Sequence, residues 1–407
     1  PSLVWLAPVL NPGGYSSEAL SFAAGLDGEY GREDAALGLR QFAEQQEAAF
    51  ADGLPEGTLR LLSRLFGRGR ERRVWDVAVC HSTPDVWHAD GAFGWGRAQP
   101  CPPREARYHV GRTMYETDRL PEAWVPRINA MHEVWVPSKF ALEQFASSGV
   151  ERDKLVVIPE AVDSDLFDPA RHSPLEDLGH VGVPGASGDL FRFLSVFKWE
   201  RRKGWDLLLR AYFEEFSAAD PVVLHVKTQA FHSDGNLAGE ARRFVEGLGA
   251  AARRPLARYS VLTRDLPLRE LPRLYRAADA FVLPSRGEGW GRPHVEAMAM
   301  GLPVIATNWS GPTEFLSERC TLPLRSEGLA AAGEAGGPAG HRWAAPSVPH
   351  LRELMRWAAE HRAEARALGA RAREEVRRRF SPAAVAREHL LPRLRGIARR
   401  LAARGEL

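Results

Sequence analysis

Two glutamates eight positions apart, Glu288 and Glu296, flank a glycine-rich turn in Pro284-Ser-Arg-Gly-Glu288-Gly-Trp-Gly-Arg-Pro-His-Val-Glu296-Ala-Met-Ala-Met-Gly301. Carboxylates accept hydrogen bonds from vicinal hydroxyls, and the unpaired amides at a helix start favour an anionic oxygen. Gly289 and Gly291 around Trp290 let backbone approach a ligand closely, and Pro293 suits a first helical turn. Either glutamate alone reads as well as an acid near a helix start, worth roughly 0.3–1 kcal/mol. Together with the turn and the small-residue helix Ala297-Met-Ala-Met-Gly301, the pair favours a ligand with both hydroxyls and phosphate.

The elements that must position this pair alternate short apolar strands with helices. Ala280-Phe-Val-Leu283 before the turn reads as a buried parallel strand, and Gly301-Leu-Pro-Val-Ile-Ala306 begins the next. In the first half, strands are legible at Leu3–Ala7, Val74–Val79, Glu133–Val136 and Lys154–Ile158. A helix is expected from about 16 to 24, and Ser138 is placed to cap another that ends near Gly149. The stretch from about 163 to 189, with Pro169, Pro174 and Pro184, reads as an interdomain connection. The alternation restarts at Phe191–Phe197, Val222–Val226 and Tyr259–Leu262. Gly328–Gly340 reads as a low-complexity surface loop, followed by arginine-rich helix from about 348 to 379 and a fresh cap at Ser381-Pro382. The expectation is an α/β chain with two doubly wound domains: 1–175, 188–380, and a terminal helix in 381–407 packing back on the first.

At 407 residues the chain exceeds one ordinary core, and two domains imply a cleft. The 54 Lys plus Arg nearly cancel 52 Asp plus Glu, so no overall field argues for nucleic acid. Cys80, Cys101 and Cys320 are widely spaced, which argues against a disulfide framework or a zinc site and makes a reducing, cytoplasmic compartment the default. Leu3–Leu6 is too short for a signal-peptide core, and no apolar run reaches the roughly 18 residues of a membrane helix. The chain opens at Pro1, so an upstream targeting or anchor segment is compatible with it. Arginines flank an apolar stretch in 60–73, which suits either peripheral contact with the cytosolic face of a membrane or a solvated helix end interrupted at Gly67 and Gly69.

The glutamate motif resembles the E-x7-E signature of retaining glycosyltransferases of the GT-B fold, in particular glycosyltransferase family 4. Phe197-Lys-Trp-Glu-Arg-Arg-Lys203-Gly204 resembles that family's basic pair, which makes Lys198 and Lys203 donor-diphosphate ligands. Gly13-Gly14 is similar to its glycine-rich turn near the donor. Ser310-Gly-Pro-Thr-Glu314 resembles its Gly-Gly-x-x-Glu loop, with a serine where glycine is usual, and carries Glu314 to the donor side. Relatives place a histidine near the sugar at the exit of the strand in Tyr108-His-Val-Gly-Arg-Thr-Met-Tyr-Glu116-Thr-Asp118. His109 fits that role with His81 as rival, and Glu116 and Asp118 fall on the acceptor side.

The resemblance implies a retaining, metal-independent transferase that moves a sugar from a nucleoside diphosphate to a glycan, lipid-linked or small-molecule hydroxyl. It implies no cofactor beyond the donor. Glu288 becomes the sugar-side carboxylate, Glu296 the ribose clamp. The alternative is a GT-B-like protein that binds nucleotide sugar or glycan without turnover; a phosphorylase or epimerase is disfavoured, since no pyridoxal lysine is identifiable.

Overall fold

Fourteen strands and the helices between them make up the computed structural model, which describes residues 1–30, 36–43, 46–71, 74–88, 101–176, 178, 190–230 and 235–406. The first parallel sheet holds β1 (Leu3–Ala7), β2 (Leu37–Gln41), β3 (Trp75–His81), β4 (Ala106–Arg112), β5 (Glu133–Val136) and β6 (Leu155–Val157), in the order β2-β1-β3-β4-β5-β6. The second holds β7 (Phe191–Trp199), β8 (Val222–Ala230), β9 (Arg258–Leu262), β10 (Ala280–Leu283), β11 (Val304–Thr307) and β12 (Leu322–Leu324), in the order β12-β11-β10-β7-β8-β9. A short antiparallel hairpin, β13 (Ser326–Ala331) and β14 (Arg342–Pro346), follows.

Both sheets are buried on both faces, which is why their strands read as continuous apolar runs such as Ala280-Phe-Val-Leu. The strand order of each sheet reverses once, between β1 and β3 in the first and between β10 and β7 in the second. In open parallel sheets ligands bind at such reversals, outside the carboxyl ends of the strands. The chain crosses between the halves again near its end. Val385, Leu390, Leu394, Ile397 and Leu401 belong to the same apolar cluster as Leu3, Trp5 and Leu39 of the first sheet.

Several expectations are corrected. Part of the segment read as a surface loop at 328–340 belongs to the β13–β14 hairpin, where Leu329 pairs with Ala344 and Ala330 with Trp343. The Glu56–Glu71 helix runs through Gly67 and Gly69 without interruption. Gly69 seats the helix against β2: a Cβ there would overlap the carbonyl of Leu39. Cys80 and Cys101 are joined in a disulfide, with Cα atoms 5.8 Å apart, so wide spacing in sequence did not mean free thiols. Among the described residues no helix is long and apolar enough to cross a membrane. Residues 177 and 179–189 of the expected connection, and Arg72 and Arg73 of the basic stretch, lie outside the described residues.

Candidate active site

The strand reversal of the second sheet brings two connections together. After β7 the chain makes a tight turn, Arg201–Lys203, ended by Gly204 with φ +69°. A Cβ on Gly204 would overlap the carbonyl of Pro284, so only glycine lets this turn seat on the segment after β10. The result is a buried ion pair. Lys203 Nζ lies 2.8 and 2.7 Å from the two carboxylate oxygens of Glu288, and Arg202 lies 3.3 Å from Oε2. Burial alone would raise the Glu288 carboxyl; Lys203 and then Arg202 outweigh it and bring it down to about 2. Glu288 is therefore a permanent anion at neutral pH and no proton donor.

The backbone under Glu288 is fixed by Ser310. Its hydroxyl accepts from the Glu288 amide at 2.9 Å and donates to the Trp309 carbonyl at 2.7 Å. Ser310 has φ +59°, where glycine would sit without strain, so the departure from the glycine pattern has a structural return. Beyond the turn, Gly291 is left-handed and the helix Arg292–Ala299 begins. Glu296 is 6 % exposed and accepts from the Tyr275 hydroxyl at 2.9 Å through Oε2. Burial raises its carboxyl, against the pull of Arg292 and the Tyr275 bond. Trp290 turns inward, 1 % exposed, with its ring edge-on to Phe315 and Phe380. The tryptophan expected beside a donor is thus a core residue that anchors the turn.

Across the cleft, Gly13 and Gly14 sit at the start of the Gly14–Tyr30 helix with open space where side chains would stand. Lys198 is the last residue but one of β7, in register with Gln229 of β8. The exit of β4 presses against the glutamate turn. A Cβ on Gly287 would overlap the Glu116 carbonyl, and one on Gly289 would overlap the Met114 side chain. The Glu116 carboxylate lies 3.7 Å from Arg202, which also donates to the Gly287 carbonyl at 2.8 Å and to Glu200 at 2.6 Å. Three residues expected to meet ligands therefore bind the opposite domain: Glu116 faces Arg202, Asp118 accepts from the Arg342 amide at 2.7 Å, and Glu314 accepts from the Lys139 amide at 3.1 Å. In Asp118 and Glu314 one carboxylate oxygen is thus committed to an interdomain backbone amide.

Neither histidine offers a free imidazole. His109 lies toward the amino-terminal side of the sheet, away from the crevice, with Nε2 2.9 Å from the Ala106 carbonyl and its ring against His132. His81 ends β3 on the crevice side but is fully buried. Trp5 Nε1 donates to His81 Nδ1 at 3.0 Å, which leaves Nε2 as the donor to Glu18 at 2.8 Å. Burial lowers its pKa, and Arg112 neutralises Glu18 through a bond from Nε at 2.8 Å. His81 is therefore a neutral structural link. Sequence reasoning missed Arg202, Arg292, Tyr275 and the positive role of Ser310; Arg202 stood inside the quoted basic run, but adjacency to Lys203 does not say which side chain turns inward.

Residues 189–335 match the family model for glycosyl transferases group 1. Over 184 residues, 44 % of this chain and 44 % of the relative, the chain is 29 % identical to the GDP-mannose-dependent alpha-(1-6)-phosphatidylinositol monomannoside mannosyltransferase of Mycolicibacterium smegmatis. Over 176 residues, 42 % of this chain and 39 % of the relative, it is 28 % identical to the D-inositol 3-phosphate glycosyltransferase of Paenarthrobacter aurescens. The matches thus span less than half of these relatives' own length. HepE of Anabaena, solved with UDP and glucose, superposes over 99 % of both chains with a TM-score of 0.62 at 16 % identity. The sucrose-phosphate synthase of Thermosynechococcus elongatus does so over 99 % of both chains with 0.60 at 17 %. Residues 189–335 thus carry a group 1 glycosyl transferase domain, and the chain as a whole has the two-sheet GT-B fold of these solved structures.

Proposed function

We propose that the chain transfers a sugar from a nucleoside-diphosphate sugar to an acceptor hydroxyl, with retention at the anomeric carbon and without a metal. The observation that carries this reading is the buried Lys203–Glu288 pair at the strand reversal, where a ligand of such a sheet binds. The demand of the reaction is to stabilise charge on the departing diphosphate as the bond from the anomeric carbon to the phosphate oxygen breaks. Lys203, Lys198 and the amides at the start of the Arg292–Ala299 helix are the groups available for it. The acceptor oxygen bonds to the same face, and its proton passes to an oxygen of the leaving phosphate, so no enzyme nucleophile is required. Glu288, held ionised, accepts from hydroxyls of the transferred sugar and orients Lys203. Glu296 holds the ribose, and Gly13-Gly14 admits the donor from the other wall. The nucleotide-bound state of HepE and the named activities of the relatives support this class of donor.

The test is release of nucleoside diphosphate from a panel of UDP- and GDP-sugars, comparing the parent with Glu288→Ala and Lys203→Ala. Release by the parent and at least a hundredfold less by both variants is expected. Equal release by all three refutes the site. The configuration of the product at the anomeric carbon, read by NMR, tests retention.

A further inference from the structure

Arg292 opens the helix that carries Glu296, and its guanidinium reaches into the other domain. One terminal nitrogen donates to the Ala161 carbonyl at 2.9 Å and lies 3.3 Å from Glu160; the other lies 3.4 Å from the Ser21 hydroxyl. Both terminal nitrogens are thus engaged. Its Nε, although buried, has no hydrogen-bond partner. The nearest acceptor is Glu296 Oε1 at 3.9 Å, beyond hydrogen-bond length. Glu296 is half used in the same way, since Tyr275 takes Oε2 and leaves Oε1 open. Arg292 and Glu296 line one interdomain cavity with Ser17 and Ser21. An unpartnered buried donor and a half-used carboxylate, on two residues that line the same cavity, call for a group that can both donate and accept. A hydroxyl is that group: with the two atoms 3.9 Å apart, one oxygen beside the line between them can stand about 2.8 Å from each, once the side chains part enough to uncover Nε.

We propose that Arg292 and Glu296 together hold one ribose hydroxyl of the donor, its proton going to Oε1 of Glu296 and its oxygen accepting from Nε of Arg292. This rests on the reading of Glu296 as a ribose ligand, and it changes that reading. A carboxylate with both oxygens free would grip the two vicinal hydroxyls alike, whereas one whose second oxygen belongs to Tyr275 grips one. Because Arg292 is anchored on Ala161, Glu160 and Ser21, the hydroxyl is also held with the domains closed upon it.

The test is calorimetric binding of UDP and GDP and of their 2′-deoxy and 3′-deoxy forms to the parent, Arg292→Lys, Arg292→Gln, Glu296→Gln and Tyr275→Phe. In the parent, removal of one hydroxyl should weaken binding by about 10- to 100-fold and removal of the other by less than about 3-fold, the range for a lost charge-assisted bond. Both Arg292 variants should reduce the larger ratio to about 3-fold. A merely structural role for Arg292 would lower the melting temperature or weaken all nucleotides alike and leave the ratio standing, which overturns the proposal. Equal penalties for the two hydroxyls in the parent overturn it as well. Tyr275→Phe frees Oε2 without touching Arg292, so the second hydroxyl should gain a penalty; if none appears, the one-oxygen arrangement is wrong. If Glu296→Gln also keeps the parent's ratio, or if neither UDP nor GDP binds, the underlying ribose reading has failed with it.

Discussion

Replacing Glu288 by glutamine separates the two things this carboxylate does. In the folded chain its pKa is about 2, against 4.5 for the ordinary group, a difference of about 2.5 units. At 1.36 kcal/mol per unit this amounts to about 3 kcal/mol of stability. The folded value lies below the unfolded one, so the contribution is fully present above pH 4.5 and drains away as the pH falls toward 2. Urea denaturation followed by tryptophan fluorescence from pH 7 to pH 2.5 measures it, and subtracting the Glu288→Gln profile removes the carboxylates common to both proteins. The parent should lose about 3 kcal/mol more than the variant across that window. At pH 7 the variant should be less stable by about 3–5 kcal/mol, because Lys203 and Arg202 remain charged and buried without their anion. The functional half points the other way. The same change frees Lys203 to meet a diphosphate, so UDP affinity should stay within about 3-fold of the parent or improve, while turnover falls by about 100-fold or more. Parallel pH profiles would refute the electrostatic argument; a loss confined to UDP affinity would refute the assignment of Glu288 to the reacting sugar.

Further outcomes follow from neighbouring residues. Gly204→Ala combines a left-handed φ with overlap on Pro284 and should cost about 2–4 kcal/mol in urea denaturation and reduce turnover, since the turn carrying Lys203 must move. His109→Gln should leave turnover within about 2-fold, because its ring is satisfied on the Ala106 carbonyl away from the crevice; a large loss would reinstate it as a sugar ligand. Reduction of Cys80–Cys101, or Cys101→Ser, should lower stability by about 3 kcal/mol, the loop-closure value for a sequence separation of 21, as read from denaturation with and without reductant. Turnover should survive EDTA; loss on chelation with recovery in manganese or magnesium would overturn the metal-free reading.

The parallel strands, the turn and the two glutamates were legible because their signals are local: apolar runs of strand length, glycines where a chain must bend, and a helix start in the expected place. The β13–β14 hairpin was hidden in a segment rich in alanine and glycine, where β13 is largely exposed and carries no apolar periodicity of two. The disulfide was hidden because β3 and the segment before β4 approach only in the fold. Trp290 illustrates a different limit. A glycine on each side marks a close approach, but the tryptophan between them can face the cleft or the core, and Phe315 and Phe380 decide it from distant positions.

The polar residues of the cleft mark a third limit. A cleft between two domains exposes the same residue types to two partners, a ligand and the facing domain, and composition does not separate them. Glu116, Asp118 and Glu314 all lie where acceptor or donor contacts were expected, and each is met by the opposite domain, through Arg202, the Arg342 amide and the Lys139 amide. Such contacts bias the chain toward closure before any ligand arrives. They also explain why Arg202 is drawn inward: burial opposes its charge, but Glu116, Glu288 and Glu200 together outweigh that cost. Glu116 comes from the first domain and Glu288 from the second, so opening the cleft removes one anion from beside Arg202 and leaves it to Glu288 and Glu200. The electrostatics of the Lys203–Glu288 pair are thereby tied to the separation of the two sheets, although among the described residues neither side chain of the pair hydrogen-bonds to the first domain.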